Sequence, residues 1–318
     1  MSSATRNARA GQPVWLVAGS LAAVYLIWGT TYFALKVGLE GAGPFYLLGT
    51  RFMVAGGLLA AGLRLTGHDL PSVQQWLGAS LLGTLLLVVG LGSVTVAERW
   101  VSSGAAVALI SLLPLAVALW TGVFGSGPRR LEWAAIALGG LGTLIMVTGH
   151  DLRASPAGTL LILLAVASWS FGTVVSSRIE TPHGAMGFAA EMLAGGVIAL
   201  GVSAALGESW APPASPRVWW AWSYLIVFGS LIAFSAYRFL VERVSARLAA
   251  TYAYVNPPVA LLVGWGLGNE SFSPHVLVGL PIVLAAVGLH GWIQFRSAAS
   301  QVAPQARSPA SALLTGRP

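Results

Sequence analysis

Two charges stand deep inside long uncharged runs of this sequence, Arg51 and Glu191. A charge at the centre of a membrane span costs about 2.5–3.5 kcal/mol on insertion scales, so each must face protein or water rather than lipid. An arginine there bonds either backbone carbonyls or the anionic group of a solute. A glutamate there serves structure, substrate or a proton. Around these charges, aromatic and polar residues recur at helical spacing. Trp28 and Tyr32 share one face with Tyr25; Trp169 and Thr173 share another with Ser176; Tyr252 and Asn256 lie four apart on a third. An apolar lining with a few polar groups is what a small-solute pocket needs. The candidate cavity residues are therefore Trp28, Tyr32, Trp169, Thr173, Tyr252 and Asn256, with Arg51 and Glu191 as buried charges whose role, functional or structural, stays open. As the acid buried within a span, Glu191 is the candidate for proton coupling.

The elements that carry these residues are long and apolar. Residues 14–35, 76–97, 154–177 and 248–269 contain no Asp, Glu, Lys or Arg, and each exceeds the roughly 20 residues that cross a hydrocarbon core. In lipid a lone segment must satisfy its own backbone hydrogen bonds, so these are helices. Ten spans are expected, near 14–35, 44–63, 76–96, 101–124, 131–149, 157–177, 184–206, 219–240, 248–267 and 275–295. Residues 1–13 and 297–318, rich in Ser, Ala, Gln, Pro and Arg, are expected to be disordered tails. Three prolines fall inside spans. Pro114 should free the carbonyl of Ile110, and Pro257 and Pro258 those of Ala253 and Tyr254.

The second five spans repeat the first. Trp28-Gly29-Thr30 returns as Phe171-Gly172-Thr173, and Leu113-Pro114 as Asn256-Pro257; Glu98-Arg99 returns as Glu242-Arg243 and Ala105-Ala106 as Ala249-Ala250. A unit with an odd number of spans enters the membrane from opposite sides in its two copies. The expected fold is thus an all-α integral membrane protein of ten transmembrane helices, built as two inverted five-helix repeats over 14–149 and 157–295. That is the plan of secondary transporters that expose one central site to alternate sides.

Composition supports the same class. The chain is 56% hydrophobic and 8% charged, with net charge +7, far from the roughly 25% charged residues of soluble domains. The positive charge is an orientation signal and not a nucleic-acid surface. With a cytoplasmic N-terminus, eleven arginines fall on the cytoplasmic face, Arg64, Arg129, Arg130 and Arg178 among them. Only Lys36, Arg99, Arg153 and Arg217 fall opposite. Trp15, Trp76, Trp100, Trp133, Trp219, Trp220, Trp222 and Trp292 lie near span ends and read as interfacial anchors. Gly264 with Gly268, and Ala135 with Gly139, have the small-x-x-x-small spacing of close helix packing. Arg238 and Glu242 read as a local pair. There is no cysteine, no phosphate loop and no H-E-x-x-H, so no metal, cofactor or enzyme chemistry is expected.

Taken in order, Trp28-Gly29-Thr30-Thr31-Tyr32 with Lys36 and Arg51-Phe52 resembles the opening of the EamA domain in the drug/metabolite transporter superfamily. Tyr252-Ala253-Tyr254-Val255-Asn256-Pro257 followed by Gly264 and Gly268-Asn269-Glu270 is similar to the closing half of its second copy, and Glu191-Met192-Leu193-Ala194-Gly195-Gly196 to the seventh span of YedA-like exporters. The resemblance covers about residues 15–295. It implies a bacterial inner-membrane permease of two EamA domains, usually an exporter of small metabolites or toxic compounds. The expected partners are a small organic solute, the lipid bilayer and protons, with both termini cytoplasmic. An inward facilitator or antiporter for a sugar or phosphorylated compound, using Lys36 and Arg51, is the alternative; a lipid scramblase or an intramembrane enzyme stands further off. One departure is that Glu270 has no acidic counterpart in the first copy, which reads Gly125-Ser126-Gly127-Pro128, so Glu270 is expected to act asymmetrically or only as an interfacial cap.

Overall fold

The computed structural model describes residues 14–124, 130–149, 155–182, 184–243 and 252–302. Among these there is no strand. The helices are α1 (Val14–Gly38), α2 (Pro44–Leu65), α3 (Val73–Ala97), α4 (Ser103–Ile110 and Leu113–Phe124), α5 (Arg130–Val147), α6 (Pro156–Ser176), α7 (Ala185–Ala205), α8 (Pro216–Tyr224, Leu225–Ile232 and Ala233–Arg243), α9 (Tyr252–Gly268) and α10 (Pro274–Val302). Nine are long and apolar enough to cross a membrane, and the described part of α9 is a shorter apolar helix. The ten-span, two-repeat membrane fold expected from the sequence is the fold observed.

The packing of the helices carries the repeat symmetry. Advancing a helix number by five turns α1 against α9 into α6 against α4, α3 against α6 into α8 against α1, and α3 against α7 into α8 against α2; all six pairs are packed. The pairs α2–α7, α5–α10 and α4–α9 map onto themselves and are packed as well. Such reciprocal exchange is the signature of a pseudo-two-fold axis, which passes through the self-mapped pairs. Two apolar cores sit on either side of the centre. One joins α4, α5, α6 and α10 around Leu109, Met146, Ile162 and Val283. The other joins α1, α2, α7 and α8 around Leu35, Phe52, Met192 and Leu225.

Close backbone approach joins α5 to α10. A Cβ on Gly142 of α5 would lie 2.9 Å from the Gly279 carbonyl oxygen of α10, so these two helices touch backbone to backbone. Two equivalent helices share a second device. The middle of α3 (Gly83–Leu91) and of α8 (Leu225–Ile232) is wound as π-helix, the winding associated with functional sites. It frees carbonyls for neighbouring helices: Ser168 Oγ of α6 donates to the Leu85 carbonyl at 2.7 Å.

Several boundaries differ from expectation. The helix of α10 runs on to Val302, beyond residue 295 and into the first residues expected to be tail. Pro114 acts as expected, because α4 is interrupted by a turn at Ser111 and Leu112. In α9 the helix continues through Pro257 and Pro258, so the two copies are broken unequally. Trp222 is no lipid anchor: its Nε1 donates to Thr50 Oγ1 at 3.0 Å, pinning α8 to α2. Residues 1–13, 125–129, 244–251 and 303–318, and the side chains of Arg238 and Glu242, lie outside the described residues.

Candidate functional site

Between the two repeats lies a cavity with about 90 Å³ of free volume. At roughly 10–15 Å³ for each water centre, it has room for about half a dozen waters. Its wall includes Trp28, Thr31 and Tyr32 of α1, Arg51 of α2, Leu91 and Val94 of α3, Ile110 and Leu113 of α4, Ala165 and Trp169 of α6, Phe234 of α8, and Tyr252 and Asn256 of α9. Both repeats contribute, and the wall includes the residues on either side of the α4 break.

The aromatic side is closely packed. The Trp28 ring meets Tyr252 at 5.0 Å edge-on, Tyr237 at 5.2 Å and Phe234 at 5.3 Å, spacings at which aromatic pairs attract beyond their burial. Gly29 allows this approach, since a Cβ there would lie 2.6 Å from Val259 of α9. Asn256, with its amide turned to satisfy both ends, donates to the carbonyls of Tyr252 and Tyr25 at 3.2 Å each. It therefore splices α9 to α1 while lining the cavity.

Arg51 is 3% exposed. Its Nε donates to Ser230 Oγ of the α8 π-helix at 2.9 Å, and the guanidinium lies beside the Phe52 ring at 5.1 Å. Its Nη1 has no hydrogen-bond partner. Of the two partners considered for Arg51, backbone carbonyls and an anionic group, the structure contains neither among the described residues: its hydrogen-bond partner is a hydroxyl.

Of the residues singled out from sequence, Trp28, Tyr32, Trp169, Tyr252, Asn256 and Arg51 are brought to one cavity. Thr173 and Glu191 are not. Thr173 is exposed, and its hydroxyl turns back to the Trp169 carbonyl at 2.8 Å. Four residues from Trp169 is a full turn, about 6 Å along the axis, and that carries it past the cavity. Glu191 is half-buried on α7, away from the cavity wall, with its backbone carbonyl against Gly83 of α3. It is not the most buried acid either, since Glu98, Glu132 and Glu270 are all more enclosed.

Sequence reasoning missed a second polar cluster at the end of α1. Lys36 Nζ pairs with Glu270 Oε1 at 2.6 Å. Ser103 Oγ donates to the same oxygen, and Ser103 N to Oε2, both at 3.1 Å. A carboxylate at the first turn of α4 offsets the positive end of that helix. Gly264 makes room, because a Cβ there would lie 2.6 Å from Glu270 Oε2. The Gly264–Gly268 spacing therefore admits a side chain and a ring, Phe33 lying against Gly268, and not a neighbouring backbone. Glu98 lies in the same electrostatic neighbourhood, 2% exposed and with neither carboxyl oxygen partnered. Burial pushes its carboxyl well above the usual range, nearby Glu270 pushes it the same way, and Lys36 opposes both. The early signals were Lys36 after the first span, the recurrence of Glu98-Arg99 as a repeat landmark and the unmatched Glu270, and nothing in the sequence joined them. Among the described residues no group of acids and histidines is arranged to hold a metal ion.

Comparison with known proteins gives this geometry a context. The model of the EamA-like transporter family matches residues 15–148 and again 156–291. The chain is 44% identical over 272 residues to the uncharacterized inner membrane transporter YedA of Escherichia coli K12, covering 85% of this chain and 89% of that protein. It is 26% identical over 286 residues to protein PecM of Dickeya dadantii, covering 89% and 94%. It is 27% identical over 281 residues to a probable terminal-alkyne amino-acid exporter of Streptantibioticus cattleyicolor, covering 85% and 91%. A solved crystal structure shares the fold at a TM-score of 0.61 and 18% identity, over 88% of this chain and 97% of that one.

Proposed function

The chain belongs to the EamA-like transporter family, and from that premise we propose that it exports a small metabolite or toxic compound across the inner membrane by alternating access at the cavity between its repeats. A membrane transporter is what the family establishes; the direction, the site and the coupling are the proposal. The observation that carries it is the shared wall of the cavity: α1 and α4 of one repeat face α6 and α9 of the other around Trp28, Trp169 and Tyr252. A site at the seam of two halves related by a two-fold axis is exposed to either side as one half rocks against the other. The relative named as an exporter, and another named as an inner membrane transporter, support the direction and the location. The arginine distribution supports cytoplasmic termini.

The inward reading for a phosphorylated compound needed Lys36 and Arg51 on one anion. Lys36 is engaged by Glu270, which removes one of those cations and weighs against it. Proton coupling belongs to the proposal, with Glu191 releasing a proton towards the cytoplasm as export proceeds. Glu191→Gln keeps shape and hydrogen bonding without titrating, and should uncouple export from the proton gradient. Export at wild-type rate with unchanged gradient dependence would remove Glu191 from the scheme.

Export itself is tested by screening metabolites and toxic compounds for thermal stabilisation of the purified protein. A compound at a hundred times its Kd stabilises the folded state by about 2.7 kcal/mol. The stabilising compound should then accumulate in everted membrane vesicles that contain the protein and not in vesicles that lack it. Accumulation only in right-side-out vesicles would reverse the assigned direction.

A further inference from the structure

Arg51 is a buried cation without an anion. Among the described residues no carboxylate forms an ion pair with it, and its one hydrogen bond to a side chain goes to neutral Ser230. Its Nη1 is sealed from solvent and unpartnered, a state that proteins seldom leave uncompensated. The rest of the cavity wall is aromatic or aliphatic, relieved by Thr31 and Asn256, and carries no acid. The neighbouring cation, Lys36, is occupied by Glu270. The cavity therefore presents one net positive charge against an aromatic wall.

We propose that the transported solute is a small apolar or aromatic monocarboxylate, whose carboxylate pairs with Arg51 while its body lies against Trp28, Trp169 and Tyr252. This rests on the cavity being the solute site. One fixed cation matches one negative charge; a phosphate monoester, nearly a dianion at neutral pH, would leave a second charge buried and unpaired. Guanidinium recognises carboxylate in a fixed planar geometry. Ser230 on Nε holds the guanidinium plane, and a carboxylate that pairs with Nη1 must displace the packing that now seals it. Phe52 beneath it, and Gly229, which lets α8 pass within contact of Nη2, keep the head group in place.

The test uses three probes of one shape: 3-phenylpropionate, its neutral amide and 3-phenylpropylamine. Each is titrated against the purified full-length protein in nanodiscs, with the melting temperature as readout. The carboxylate should stabilise the wild type, and the amide and amine should not. This comparison needs no variant. Arg51→Lys should bind the carboxylate with intermediate affinity, and Arg51→Gln roughly 10- to 100-fold more weakly, the loss of one charge-assisted hydrogen-bonded pair. Equal stabilisation by amide and carboxylate, or unchanged carboxylate affinity in Arg51→Gln, would overturn the assignment; so would the absence of any stabilisation by the carboxylate. If the amide binds and Trp28→Ala abolishes that binding, the cavity stands as the solute site and only the charge assignment fails. If no probe binds, accessibility of the cavity from the two sides of the membrane decides the export reading separately.

Discussion

Glu98 is the residue with the clearest consequence for pH. Its carboxyl titrates above its ordinary value because burial disfavours the charged form, with Glu270 adding to the effect. A raised acid binds its proton more tightly in the folded state than in the unfolded chain. The stability this confers is intact below the unfolded value, near 4.3, and is lost as pH rises from there through the folded value. Across that window the wild type should lose up to about 1.4 kcal/mol per pH unit. Glu98→Gln, which never ionises, should flatten the profile and unfold at higher temperature than the wild type at pH 8. Thermal unfolding in mild detergent from pH 5 to 8 measures this, and parallel profiles for the two proteins would show that Glu98 does not titrate there. At this scale the sequence was partly legible. Arg51 stood out because a lone charge in a span cannot be hidden by its neighbours. Glu98 did not, because it sits one residue past its span and the charges that act on it are 62 residues before it and 172 after it. Only the folded topology brings Lys36, Glu98 and Glu270 together.

At the scale of elements, the spans were readable because hydropathy and the absence of charge report directly on the bilayer. Their internal winding was not. The π-helical turns of α3 and α8 carry no local pattern that the sequence reading used, and the bond from Ser168 to Leu85 in α3 joins residues 83 apart in the chain. Thr173 shows the limit of periodicity: a spacing of four gives the face of a helix but not the depth at which a cavity ends. The α5–α10 pair offers a test of close packing. Gly142→Ala would place its Cβ 2.7 Å from Val283 Cγ2 and 2.9 Å from the Gly279 carbonyl, so the helices must part. Overpacking of this kind costs about 1–3 kcal/mol. The variant should melt several degrees lower, whereas Gly140→Ala on the same helix, where nothing lies within 4 Å of the new carbon, should match the wild type or exceed it. Equal melting points for both variants would contradict the described contact.

At the scale of the molecule, the two repeats exchange partners across one axis, and the cavity lies where their faces meet. The expectation of paired repeats came from a few recurring residues, and the fold answers it helix by helix; the unequal break at Pro114 and Pro257 was not foreseeable, since both copies carry the proline. Because the chain has no cysteine, each introduced thiol is unique. The central claim is that one cavity is reached from both sides in turn, and it can be tested without knowing the solute. Thr31→Cys on α1 and Ala165→Cys on α6 place a thiol in the cavity wall, one from each repeat. A small membrane-impermeant thiosulfonate should modify each of them both in right-side-out and in everted vesicles, at rates well above that of a lipid-facing control, Leu58→Cys. Modification from one side only, or from neither, would contradict alternating access at this site.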